Sequence, residues 1–76
     1  MDISYMDIGD LIAKNLAEVI EAKGANPSAL AKAAGLGHTA VRDIILRKAK
    51  NPTYATLLKI AVVLEVDVTE ITTGPA

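Results

Sequence analysis

The side chains able to do chemistry in this sequence are few, and the most concentrated of them are cationic. Arg42, Arg47, Lys48 and Lys50 stand within nine residues, offset only by Asp43. The carboxylates collect elsewhere. Asp2, Asp7 and Asp10 give the first ten residues a charge of −3, and Glu65, Asp67 and Glu70 do the same for the tail. The formal net charge is only −1, yet a polyanion is steered by local sign rather than by the sum over the chain. The alternative is that the four cations merely solvate a loop. His38 is the single histidine and there is no cysteine, so a zinc site has nothing to complete its ligand set. No Gly-rich phosphate loop and no nucleophile–base constellation is present, and paired carboxylates for acid–base work would have to come from the termini. The expectation is a binding protein with no metal, no cofactor and no enzyme activity.

Seventy-six residues make one domain, and a chain this short leaves much of its surface exposed even when folded. Apolar residues supply 51% of it, many of them Ala, and the only aromatics are Tyr5 and Tyr54. Small and aliphatic side chains at helical spacing favour closely packed helices over a sheet. The scarcity of aromatics removes the stacking platforms used by single-strand binders. The absence of cysteine suits a reducing compartment. No apolar run approaches membrane-spanning length, and the N-terminus MDISYMDIGD is acidic where a signal peptide would be basic. A soluble, cytoplasmic protein is expected.

The elements that must position the cations are legible in the apolar spacing. Ile8, Leu11, Ile12, Leu16, Val19 and Ile20 recur at three- and four-residue steps and predict a first helix from about Ile8 to Ala22, with Asp7 as N-cap and Gly24 as stop. Asn26-Pro27 is a start signal for a second helix through Ser28 to Ala34, ended by Gly35. Leu30 is its core anchor, and Ala31, Ala33 and Ala34 are small enough to let another helix approach closely. A third helix is expected from Gly37 or His38 to about Leu46. At about 100° per residue, His38, Thr39, Arg42, Asp43 and Leu46 share one arc, while Ala40, Val41, Ile44 and Ile45 fill the opposite one. One face packs and the other is free to read.

The segment RKAKNP from Arg47 to Pro52 is a basic turn. Thr53 caps a fourth helix whose stripe is Leu57, Ile60, Ala61 and Leu64, with Leu58 at its edge. Val62 and Val63 extend that stripe toward the N-terminal arm or a partner subunit. Asp67 and Glu70, spaced as a capping box, open a fifth helix through Ile71, and Gly74-Pro75 ends the pattern.

Five helices in this order, with LAKAAGLGHTAVRDI at the second and third, resemble the Cro/repressor-like (XRE-type) helix-turn-helix domain found at the N-terminus of phage-type repressors. The resemblance covers roughly Ile8 to Gly74. It rests on Leu30-Ala31, Gly35 at the turn, Val41 and Ile44, then Asn51-Pro52-Thr53 before TLLKIAVVLEV. It implies a compact all-α, five-helix domain over residues 1–76, with an N-terminal arm at 1–7 and the helix-turn-helix at 26–46. It further implies a homodimeric transcriptional regulator, a repressor, that places its second bihelical element in the major groove of double-stranded DNA.

Carried over by position, the base-facing candidates are His38, Thr39, Arg42 and Asp43. Arg42 can donate a forked pair of bonds to guanine, Asp43 can accept from cytosine N4, and Thr39 can touch a thymine methyl. Asp43 has the alternative of pairing with Arg42 or Arg47. Asn26 and Ser28 are the phosphate contacts at the start of the second helix, where N-terminal amides add a favourable dipole. Arg47, Lys48 and Lys50 supply charge to the flanking backbone. Three positions depart from the family pattern: Pro27 replaces a frequent Gln, Ile20 a common phosphate-binding Arg, and Arg47 the usual turn Gly. A rival from another class is a protein-interaction module or antitoxin-like subunit on the same fold, docking through exposed Leu46, Val62 and Val63.

Overall fold

Leu16, Val41, Ile60 and Ile71 are the largest side chains withdrawn completely from solvent, and each comes from a different helix. The computed structural model describes residues 7–74. It has five helices, α1 Ile8–Lys23, α2 Pro27–Ala33, α3 Ala40–Ile45, α4 Tyr54–Leu64 and α5 Thr69–Thr72, and no strand among the described residues. Apart from Asp7, the N-terminal arm expected over 1–7 lies outside the described residues, as does Pro75.

Local side chains set three of the helix starts. Asp7 accepts the Asp10 N–H at 2.8 Å, Asn26 accepts those of Ser28 and Ala29 at 2.9 and 3.1 Å, and Thr53 accepts that of Thr56 at 3.2 Å. Each takes up donors that the first turn of a helix leaves without partners. Gly24 and Gly35 stop α1 and α2 by entering left-handed backbone at φ +65° and +75°, a region closed to most side chains.

The other two starts differ from expectation. Helix α3 begins at Ala40 rather than at Gly37 or His38, because Thr39 sits at φ −101° and ψ 0° and makes no side-chain cap. At α5 the capping box does not form. The Asp67 carboxylate accepts the Thr69 amide at 2.9 Å and the Thr69 hydroxyl at 2.8 Å, while the Glu70 amide goes to the Asp67 backbone carbonyl. These two bonds hold the Asp67 carboxyl below its ordinary value of 3.8, the backbone bond first and the hydroxyl second.

The core is a single cluster of aliphatic side chains. Ile12, Leu16 and Ile20 of α1 meet Leu30 and Ala31 of α2, Val41 and Ile44 of α3, Leu57, Ile60, Ala61 and Leu64 of α4, and Ile71 of α5. Full burial of each Leu, Ile or Val contributes about 1.5–3 kcal/mol. Ile8, expected on the α1 stripe, is instead 61% exposed, and the buried position of that first turn is Gly9. Of the three alanines expected to allow close approach, Ala31 is the one fully buried. Ala33 is exposed and Ala34 half-exposed, because both fall on the side of α2 turned toward Leu58, Val62 and Val63 rather than toward α3.

Helix α1 is the scaffold, touching α3, α4 and α5. Asn15 fastens it to the end of the fold by donating from Nδ2 to the carbonyls of Ile71 and Thr73, at 3.0 and 2.9 Å. A four-residue helix cannot persist alone, so α5 depends on Ile71 in the core and on this pair of bonds.

Candidate nucleic-acid interface

Val41 and Ile44 seat α3 on the core, with Ala40 and Ile45 partly buried beside them. That packing leaves His38, Thr39 and Arg42 exposed and Asp43 half-buried. Arg42 forms no ion pair among the described residues, where the pairs are Lys14 with Glu18 and Arg47 with Asp7 and Asp10. Asp43 pairs with neither arginine. It accepts the Thr39 hydroxyl at 3.2 Å, so these two side chains are tied together across one turn of α3.

The turn that follows is built on the same residue's backbone. The carbonyl of Asp43 accepts both the Lys48 and the Ala49 amides, at 2.8 and 3.0 Å. Folding back this tightly puts Arg47 at φ +63°, which costs a side-chain-bearing residue about 1–2 kcal/mol. Its side chain offsets that strain. Nε donates to Asp10 at 2.7 Å, Nη2 to Asp7 at 3.3 Å, and Nη1 to the Lys50 carbonyl at 3.2 Å. The guanidinium lies over Gly9, where a Cβ would fall 2.5 Å from Nη1 and 2.7 Å from Nη2. Arg47 was expected to lend its charge to a DNA backbone; three of its five N–H donors go to α1 and its own turn. Lys48 and Lys50 remain exposed on that turn, and neither is ion-paired among the described residues.

At the entrance of α2 the amides are also spoken for. Pro27 has no N–H, the Ser28 and Ala29 amides go to the Asn26 side chain, and that of Leu30 goes to the Asn26 carbonyl at 2.8 Å. No amide of this first turn is left without a partner, as the Asn26 cap implied. What α2 offers there is the exposed Ser28 hydroxyl and the Nδ2 donors of Asn26.

The structure thus leaves an exposed set, His38, Thr39, Arg42, Lys48 and Lys50, on the continuous stretch that runs through α3 and its turn. It separates Arg47 from that set. The reading from spacing missed Gly9 and Asp10 altogether. Their only signal was an arginine standing where the resembled family has glycine, together with acidic residues at the start of α1. Among the described residues no group of three or more His, Cys, Asp or Glu side chains is placed to hold a metal ion, and no helix is long and apolar enough to cross a membrane.

Two short helices meeting at a glycine turn, the second held by its apolar side and bare on its polar side, define the helix-turn-helix class. Residues 15–74 match the profile of the Cro/C1-type HTH DNA-binding domain, and the chain belongs to that family. The crystal structure of a hypothetical transcription factor, NHTF, from Neisseria is similar to it, with a TM-score of 0.81 and 28% sequence identity over 91% of this chain and 78% of that one. No curated protein matches the chain. The family match begins after Asp7, Gly9 and Asp10, whereas Arg47 lies inside it.

Proposed function

We propose that this protein binds double-stranded DNA in a sequence-specific manner as a transcriptional regulator, acting as a repressor. The observation that carries the proposal is the exposed Arg42 on the outer face of α3, without an ion pair among the described residues, followed within eight residues by exposed Lys48 and Lys50. In this reading Arg42 reads guanine through its forked donors, His38 and Thr39 touch neighbouring base edges, and Asp43 orients Thr39 while presenting its remaining lone pairs to cytosine. Lys48, Lys50, Ser28 and Asn26 contact phosphate and set register without reading sequence. Arg47 supports the turn rather than the DNA. One short helix reads few base pairs, so the protein works as a homodimer on half-sites about 34 Å apart. The repressor sign follows the family resemblance, and the cytoplasm is the compartment that suits a DNA-bound, cysteine-free chain. No enzyme activity is part of this reading.

Selection of bound sequences from a random duplex pool at near-physiological salt tests it. A palindromic motif is the expected result. Absence of any enrichment would overturn sequence-specific binding.

A second reading has its own observation. Leu58, Val62 and Val63 are 43%, 67% and 36% exposed, and with Ala33, Ala34 and Lys59 they line an open cleft of about 330 Å³ between α2 and α4. Apolar surface of this kind suits a protein partner, as an interaction module or antitoxin-like subunit requires. DNA retention that does not weaken as salt rises would contradict phosphate-dominated contact, which releases counterions, and absence of enrichment in the selection would favour this alternative.

A further inference from the structure

We infer that Arg47 serves DNA binding without touching DNA: it masks the carboxylates of Asp7 and Asp10, which would otherwise stand beside the basic turn and repel the phosphate backbone. The inference rests on the DNA-binding reading above. It starts from a backbone oddity. The turn needs φ +63° at position 47, which glycine adopts freely and arginine does not. The contacts of its side chain offset that strain. Nε and Nη2 reach Asp10 and Asp7 at 2.7 and 3.3 Å, and the third contact, to the Lys50 carbonyl, keeps the guanidinium beside the lysine-bearing turn.

Two further features show that the seat is built for this side chain. Gly9 is the buried residue of the first turn of α1, and a Cβ there would fall 2.5–2.8 Å from guanidinium atoms, so the arginine would have to shift. Asp7, Arg47 and Lys50 also line one cleft of about 300 Å³, together with Ile8, Gly9 and Asn51. Asp7 therefore shares a cleft with a lysine assigned to phosphate, and Asp10 is joined to the same guanidinium. Asp7 and Asp10 keep 66% and 47% of their side-chain surface in contact with solvent, so their field reaches outward unless a cation offsets it. Coulomb repulsion between a solvated carboxylate and a nearby phosphate persists even in water, and two carboxylates facing several phosphates add up. Salt screens the same term over about 10 Å.

The test compares four full-length proteins on a mixed-sequence DNA duplex at low and high salt, with a thermal melt of each. Arg47→Gly, which also relieves the backbone strain, should bind roughly three- to tenfold more weakly than wild type at low salt, and the gap should close as salt rises. The triple variant Arg47→Gly/Asp7→Asn/Asp10→Asn still lacks the arginine, yet it should recover to within about twofold of wild type, since asparagine caps α1 nearly as well as aspartate. A triple variant as weak as Arg47→Gly would overturn the mask and return Arg47 to a direct phosphate contact. Asp7→Asn/Asp10→Asn with Arg47 intact should bind more tightly than wild type, and equal or weaker binding would also overturn the inference. This variant keeps the test decisive if Arg47→Gly melts too low to assay. Absence of duplex binding by wild type would sink the functional reading itself, whereas failure of rescue alone would sink only the mask.

Discussion

Gly9 lies directly beneath the guanidinium of Arg47, so close that a methyl group on Gly9 would overlap its nitrogen atoms. Exchanging Gly for Ala at an ordinary exposed helix position gains about 1 kcal/mol. Gly9→Ala is expected to forfeit that gain, because the added methyl drives the guanidinium off the α1 carboxylates. Urea denaturation measures the difference. A full gain in stability would mean that the guanidinium moves aside at no cost and is not seated on Gly9.

Arg42 and Lys48 separate base reading from phosphate contact. Arg42→Ala should cost about 1–3 kcal/mol on the preferred site and relax choice at one position, while Lys48→Ala should weaken binding to all sequences alike. Titration of both variants against the selected site and single-base changes within it decides the matter. Uniform loss for Arg42→Ala would make it a phosphate contact, and altered preference for Lys48→Ala would put the turn in the groove.

Asn15 joins α1 to α5 through two carbonyls that only accept, which fixes its amide with Nδ2 toward them. Asn15→Ala removes both donors and leaves the Ile71 carbonyl without this partner, at a cost of about 1–3 kcal/mol. Amide hydrogen exchange should show the loss concentrated in α5. Uniform loss across all helices, or none, would contradict the role given to this side chain.

Asp67 links stability to pH. Its carboxyl is held below 3.8 by the Thr69 amide first and the Thr69 hydroxyl second. A carboxylate depressed in the folded state contributes stability that is present above its unfolded value and lost as pH falls through the folded one. Asp67→Asn keeps an oxygen acceptor for the turn but cannot titrate. Melting temperatures taken from neutral pH to below 3.8 should therefore fall more for wild type than for Asp67→Asn. Parallel curves would remove Asp67 from the acid response.

The parts of this fold that could be read from the sequence are those decided within a few residues. Asp7, Asn26-Pro27 and Thr53 start α1, α2 and α4 through contacts no more than three residues long, and Gly24 and Gly35 end α1 and α2 through their own backbone freedom. The buried stripe of α4 and the packing side of α3 follow from helical periodicity in the same way. Local reading failed where a side chain had two partners to choose between. Asp67 takes the Thr69 amide and hydroxyl instead of the Glu70 amide. It failed more completely for Arg47, whose partners Asp10 and Asp7 lie 37 and 40 residues back along the chain. Spacing within one segment carries no information about a contact of that range. Of the candidate site, the spacing foretold which face of α3 stays outside, but not which of the neighbouring cations would already be spent.

A single oxygen, Oδ1 of Asp7, accepts both from the Asp10 amide that begins α1 and from Nη2 of Arg47. The first turn of α1 and the turn after α3 thus share one acceptor. The start of the domain is thereby tied to the segment that follows its outward-facing helix, across 40 residues of sequence.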